Sequence, residues 1–130
     1  MTLGSLDFLY TPSADVAADL RYLVDVLGAE EVFAIEDGGI KVAMASFANP
    51  PAILLTDHLE GDRPIHLFAV EDLAATRSEL EGRGWSPERS VDLPPGPAIT
   101  FRTPGGLRMA IYEPTRSFVV ESFRGRRDFG

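Results

Sequence analysis

The chain has 130 residues, 45% hydrophobic and 25% charged, a composition that suits one globular domain or two half-domains sharing a core. A formal net charge of −8 opposes a nucleic-acid role, because a phosphate backbone would be repelled. The absence of cysteine removes disulfides, thiolate nucleophiles and thiolate metal sites.

In chain order, Leu6 to Thr11 alternates and is β-prone, which reads as a strand closed by Pro12. Ser13 or Asp15 can cap a helix in which Val16, Leu20, Leu23, Val24 and Leu27 recur at helical spacing until Gly28 stops it. Glu31 to Ile35 and Ile40 to Phe47 are expected to pair about Gly38-Gly39. Asn49-Pro50-Pro51 breaks the chain, and Ala52 to Thr56 makes a strongly apolar fourth strand. Asp57 to Arg63 is polar and turn-rich. The pattern then restarts: a strand over Ile65 to Val70, a helix capped by Asp72 and reaching about Arg83, and a looser strand from Trp85 to Val91. Pro94 to Pro97 is a loop, and Ala98 to Arg102 pairs with Leu107 to Tyr112 around Thr103-Pro104-Gly105-Gly106.

The restart is an internal repeat. Asp15-Val16-Ala17-Ala18, followed by Leu23 and Gly28, is echoed by Asp72-Leu73-Ala74-Ala75, followed by Leu80 and Gly84. Such an echo implies two stacked copies of one supersecondary unit. The order is βαβββ twice, an α+β fold with helices on one sheet face. Residues 1–58 form the first half, 59–63 a linker and 64–114 the second half. Residues 115–130 stand outside the repeat. Phe118, Val119, Val120 and Phe123 make this tail too apolar to hang free, so it is expected to dock on the domain or on a dimer partner. Its arginines, Arg116, Arg124, Arg126 and Arg127, read as solvated or subunit-contacting groups. No window approaches the ~18 apolar residues of a membrane span, and Met1 to Ser5 lacks a signal peptide's basic start and apolar stretch. A cytoplasmic protein with no membrane or nucleic-acid partner is expected.

These landmarks resemble the vicinal-oxygen-chelate superfamily, which holds glyoxalase I, extradiol dioxygenases and bleomycin-resistance proteins. The matching pieces are Asp15 ahead of Leu27-Gly28, then Val70-Glu71-Asp72-Leu73, and Phe101-Arg102-Thr103-Pro104-Gly105-Gly106. The last is similar to the family's aspartate–proline–aspartate–glycine hairpin, with Thr103 and Gly105 in place of both aspartates. The resemblance implies two units forming a curved mixed sheet around a cup, within a homodimer. In metal-dependent members, cup-facing strand positions supply the ligands of one divalent ion. Carried over, those positions fall on Phe8, Leu54, Ile65 and Ala110, none of which has a donor atom. A one-residue shift on the first strand would substitute Asp7 for Phe8, still too few donors for an all-protein site. The family's fold is therefore expected without its metal and without a cofactor.

The candidate chemistry is correspondingly sparse. His66 lies one residue from a ligand position, which turns it to the opposite face with Phe68 and Val70. Asp57, His58, Glu60 and Asp62 hold suitable donors but read as a solvated hinge. Glu113, past Ala110 and out of phase with it, should face away from the cavity. No serine sits in a nucleophile elbow and no glycine-rich phosphate loop occurs, so no catalytic residue is assigned and enzymatic activity is left open. Phe8, Tyr10, Leu54, Ile65, Leu67, Phe101, Ala110 and Tyr112, with Ile99, are expected on the concave wall, and Arg108 at its rim to grip an anionic substituent. The functional expectation is a metal-free protein that sequesters a partly aromatic small molecule in an apolar cup. The alternative is a metal-dependent lyase or dioxygenase of the same superfamily.

Overall fold

The computed structural model describes residues 2–130. Its elements are β1 (Leu6–Pro12), α1 (Val16–Arg21, continued by a π-helical turn over Tyr22–Val26), β2 (Glu30–Asp37), β3 (Ile40–Ser46), β4 (Ala52–Thr56), β5 (Ile65–Ala69), α2 (Leu73–Glu81), β6 (Arg89–Leu93), β7 (Gly96–Arg102), β8 (Arg108–Tyr112) and α3 (Ser117–Phe123). The repeated Asp-x-Ala-Ala segments start equivalent helices. Asp15 accepts a hydrogen bond from the Ala18 amide at 3.1 Å, and Asp72 accepts one from the Ala75 amide at 3.0 Å. Each bond satisfies one amide that the helix start would otherwise leave orphaned. Gly28 and Gly84 follow the two helices with φ of 80° and 89°, a left-handed conformation that favours glycine.

All eight strands form one mixed sheet in the order β2-β3-β4-β1-β5-β8-β7-β6. The order is the same in both halves when read outward from the β1–β5 seam. Within the halves, β1 runs parallel to β4 and β5 parallel to β8; across the seam, β1 and β5 are antiparallel. The sheet curls into a half-barrel whose convex face carries α1 and α2. Under α1, Val16 and Leu20 pack on Ala34, Ala43, Ala45 and Leu55, and the small alanines let the helix approach closely. Under α2, Leu73 and Leu80 cover Val70, Ile99, Phe101 and Ile111. The concave face has its own apolar cluster, including Tyr10, Phe33, Met44, Leu54, Leu67 and Tyr112.

Two expectations need correction. The strand expected from Trp85 begins instead at Arg89. Trp85 turns under α2 and packs edge-to-face on Phe101, with ring centroids 5.5 Å apart. The expected loop through Pro97 is also shorter, because β7 starts at Gly96. Only glycine fits there: a Cβ would lie 1.9 Å from the Glu113 carbonyl oxygen.

Residues 115–130 run from one sheet edge to the other. At the β6–β7 turn, the Arg116 amide donates to Pro95 O at 3.0 Å, and its guanidinium donates to Leu93 O at 2.7 Å and pairs with Asp92. Beyond α3, Gly125 N donates to Val32 O, Arg126 O accepts from Ala34 N, and Asp128 N donates to Ala34 O, all at 2.7 to 2.8 Å. These bonds cover the free edge of β2. Phe123 meets Phe33 edge-to-face at 5.7 Å, bringing the tail into the concave cluster.

Candidate ligand site

The pleat of the two central strands builds the site. Tyr10 on β1 lies opposite Leu54 on β4 and Ile65 on β5, and Leu67 lies opposite Phe8 and Ala110. Directly opposed residues share a sheet face, so all of them point to the concave side. Tyr10, Ile65, Leu67 and Ala110 form the floor of a cavity of about 1040 Å³. Ile35 and Val42 stand on one side, Val91 and Leu93 on the other, and Phe123 contributes from the tail. The mouth is polar, ringed by residues 58–63 with Asp37, Arg89 and Arg102.

Several solved structures share this architecture. Methylmalonyl-CoA epimerase from Mycobacterium tuberculosis superposes with a TM-score of 0.70 at 19% identity, over 91% of this chain and 95% of that one. A glyoxalase/bleomycin resistance protein/dioxygenase superfamily member from Vibrio splendidus 12B01 gives 0.58 at 15% identity, over 80% and 93%. A 4-hydroxymandelate synthase mutant from Streptomyces coelicolor gives 0.66 at 14% identity, over 88% of this chain but 40% of that one. The fold is that of the vicinal-oxygen-chelate superfamily. No protein-family model and no curated protein matches the sequence.

The metal-dependent branch of this superfamily needs donors that the present cup does not place. Phe8, Leu54, Ile65 and Ala110 share its concave face and carry only hydrocarbon side chains. Among the described residues, no three of His, Cys, Asp or Glu gather closely enough to hold a metal ion. A divalent ion requires carboxylate, imidazole or comparable ligands, so this set does not fit one. A β-bulge between Leu6 and Phe8 also settles the first-strand register: Phe8 pairs with Leu67, and Asp7 is the extra residue. The Asp7 carboxylate is engaged elsewhere, accepting from the Tyr112 hydroxyl at 2.5 Å and from the Ser5 hydroxyl.

The nine residues expected at the ligand site separate. Tyr10, Ile65, Leu67 and Ala110 line the cavity, whereas Leu54 is fully buried in the wall behind them. Phe8 lies by a smaller hollow of about 360 Å³ with Phe47 and Pro50, and packs against the Tyr112 ring at 6.0 Å. Phe101 touches the cavity lining, but its ring belongs to the cluster under α2, as does Ile99. The β7 register explains the correction: Ala98 opposes Tyr112 and Thr100 opposes Ala110, so Ala98 and Thr100 take the concave face. Arg108 reaches the rim and lines the cavity, with one guanidinium nitrogen tied to the backbone. Its Nη1 donates to Glu60 O at 2.7 Å and Arg63 O at 2.8 Å, pinning the loop between the halves.

Outside that set, His66 lies opposite Leu9 and Met109, out of phase with Ile65 and Leu67, and its Nδ1 meets Arg108 O at 3.2 Å. Glu113 accepts the Leu73 amide at 2.8 Å and so supports the start of α2.

The polar group expected in a solvated hinge and found instead at the cavity is His58. It lines the cavity, its Nε2 lies 3.1 Å from the Tyr10 hydroxyl, and its Nδ1 lies 2.5 Å from Thr56 Oγ1. Its signal was the alternation of Leu54, Thr56 and His58, which carries the concave parity of β4 past the strand end. Burial raises the Tyr10 hydroxyl above its ordinary pKa, an effect partly offset by the Thr56 hydroxyl. Tyr112 is raised further, first by burial and then by the hydrogen bond and charge of Asp7. Both phenols therefore stay protonated at neutral pH and act as hydrogen-bonding groups rather than bases.

Proposed function

We propose that this chain is a metal-free, cytoplasmic, homodimeric protein that takes up a small, partly aromatic organic molecule in its cavity and sequesters it. The observation that carries the proposal is the cavity itself: about 1040 Å³, with Tyr10, Ile65, Leu67 and Ala110 as an apolar base, the His58 ring bonded to the Tyr10 hydroxyl beside them, and charged side chains such as Asp37, Arg89 and Arg102 completing the lining. Ligand sites combine this kind of concave apolar lining with a few placed polar groups. Side chains without donor atoms at the superfamily's ligand positions support the metal-free clause. The homodimer rests on the resemblance to the superfamily. The cytoplasmic clause rests on composition and is consistent with a chain in which no described helix is long and apolar enough to cross a membrane.

A thermal-shift screen with neutral and cationic aromatic compounds, antibiotics included, tests the reading. A ligand at a hundredfold excess over its Kd adds about 2.7 kcal/mol, a rise of roughly 10 °C for a domain of this size. Failure of every compound class to stabilise the protein removes the proposal. Stoichiometric uptake of nickel, zinc, iron or manganese by the purified protein overturns the metal-free clause. A monomer in sedimentation equilibrium overturns the homodimer.

A further inference from the structure

We infer that the cavity holds an anion site built from Arg89, Arg102 and Arg108, and that the molecule taken up carries a carboxylate on its apolar body. This rests on the cavity reading and narrows its ligand class. The register fixes the placement. Arg102 on β7 lies directly opposite Arg108 on β8, while Arg89 on β6 lies opposite Thr100, which in turn opposes Ala110. Opposed residues share a sheet face, and Ala110 belongs to the cavity floor. The three arginines therefore stand on the concave face of three neighbouring strands, and all three line the cavity.

The protein leaves much of this positive charge unmatched. Glu88 pairs with Arg102 at 2.9 Å. Among the described residues, no carboxylate forms an ion pair with Arg89 or Arg108. Arg108 donates instead to the Glu60 and Arg63 carbonyls, which leave its charge in place. Asp92 is taken up by Arg116. Asp37, Glu60 and Asp62 also line the cavity, but among the described residues none of them pairs with an arginine. Like charges directly opposite on adjacent strands are destabilising, and an anion lodged between Arg102 and Arg108 turns that repulsion into attraction. Guanidinium forks also match a carboxylate with two parallel N–H···O bonds. Ile65, Leu67 and Ala110 on the floor suit the apolar body. The net charge of −8 opposes anions at long range, but salt screens it beyond about 8 Å, so the charges in contact decide.

Three naphthalenes of similar size, added to the screen, isolate the effect: anionic 2-naphthoate, neutral 2-naphthamide and cationic 2-naphthylmethylammonium. At pH 7 and low salt, fluorescence titration should show naphthoate bound about tenfold more tightly than naphthamide, the scale of one charge-assisted hydrogen bond, and the ammonium bound most weakly. Arg89→Gln with Arg102→Gln should bring the naphthoate-to-naphthamide ratio to one or below and leave naphthamide binding unchanged. Glu88→Gln removes the competing carboxylate and should raise the ratio, a gain that misfolding does not mimic. Arg77→Gln with Arg83→Gln, at α2 and outside the cavity lining, changes the net charge equally and should leave the ratio alone. Equal binding of naphthoate and naphthamide, or a preference for the ammonium, overturns the inference and leaves the cavity reading standing. So does a naphthoate preference that survives the Arg89 and Arg102 changes, ignores Glu88→Gln, or falls as far in the α2 control. So does failure of all three when another compound in the screen binds. Silence across the whole screen removes both.

Discussion

At the scale of single residues, the buried phenols tie stability to alkaline pH. Tyr112 sits on the concave face with its hydroxyl on Asp7 at 2.5 Å, and its pKa is raised by burial, then by that carboxylate. An acid whose folded pKa is raised contributes stability in full below its unfolded value, near 10 for tyrosine. That contribution drains as pH climbs from there toward the folded value, because the unfolded chain releases a proton that the folded one keeps. The melting temperature should therefore fall between pH 9 and 11, and Tyr112→Phe should flatten the fall; Tyr10, raised in the same direction, leaves a remainder. Equal slopes for the two proteins in melts across that range would dismiss the assignment. His58 shows where residue-level reading stops. Its donors were visible in the sequence, but the turn that folds its ring back onto Tyr10 was not.

At the scale of elements, the tail works as part of the sheet. It satisfies amides and carbonyls on the β2 edge that would otherwise offer a template for another chain, and it closes one side of the cavity through Phe123. Phe123→Ala should cost about 2 kcal/mol, below the ~3–5 kcal/mol of a fully buried phenylalanine, since the ring is only partly covered. The same variant should speed amide exchange at Ala34, whose N–H donates to Arg126 O, and unchanged protection there would mean that the tail is held without its aromatic anchor. The order of strands and helices was legible because each apolar run is bounded by glycine or proline. The faces of β7 were not. A sheet buried on both sides offers two apolar destinations, and the greasier parity of that strand, Ile99 and Phe101, went to the cluster under α2. Ala98 and Thr100, the small and polar parity, were left to the cup. Trp85 misled for the same reason, its ring packing on Phe101 in the cluster under α2 from outside any strand.

At the scale of the whole molecule, the doubled sequence becomes one sheet because each half ends at an unfinished strand. In the first half β1 is paired by β4 on one side only, and in the second β5 is paired by β8 on one side only. The seam matches Phe8 with Leu67, Leu9 with His66 and Tyr10 with Ile65, supplying the missing partner to both at once. It also brings Tyr10, Ile65 and Leu67 together on the cavity floor, so the site exists only in the joined sheet. The tail adds a second crossing, starting from Arg116 at the β6–β7 turn and ending on β2 of the other half. Neither half should therefore fold alone. Fragments 1–58 and 59–130, prepared separately, should melt without a cooperative transition and give poorly dispersed amide spectra, because each leaves a seam strand edge unpaired and splits the concave cluster, which draws residues from both halves. Mixing them should restore a cooperative melt together with the seam hydrogen bonds, read as protection of the Tyr10 and Leu67 amides. A cooperative melt by either fragment on its own would show that a βαβββ unit carries a sufficient core, and the seam would then be a docking surface between two finished units.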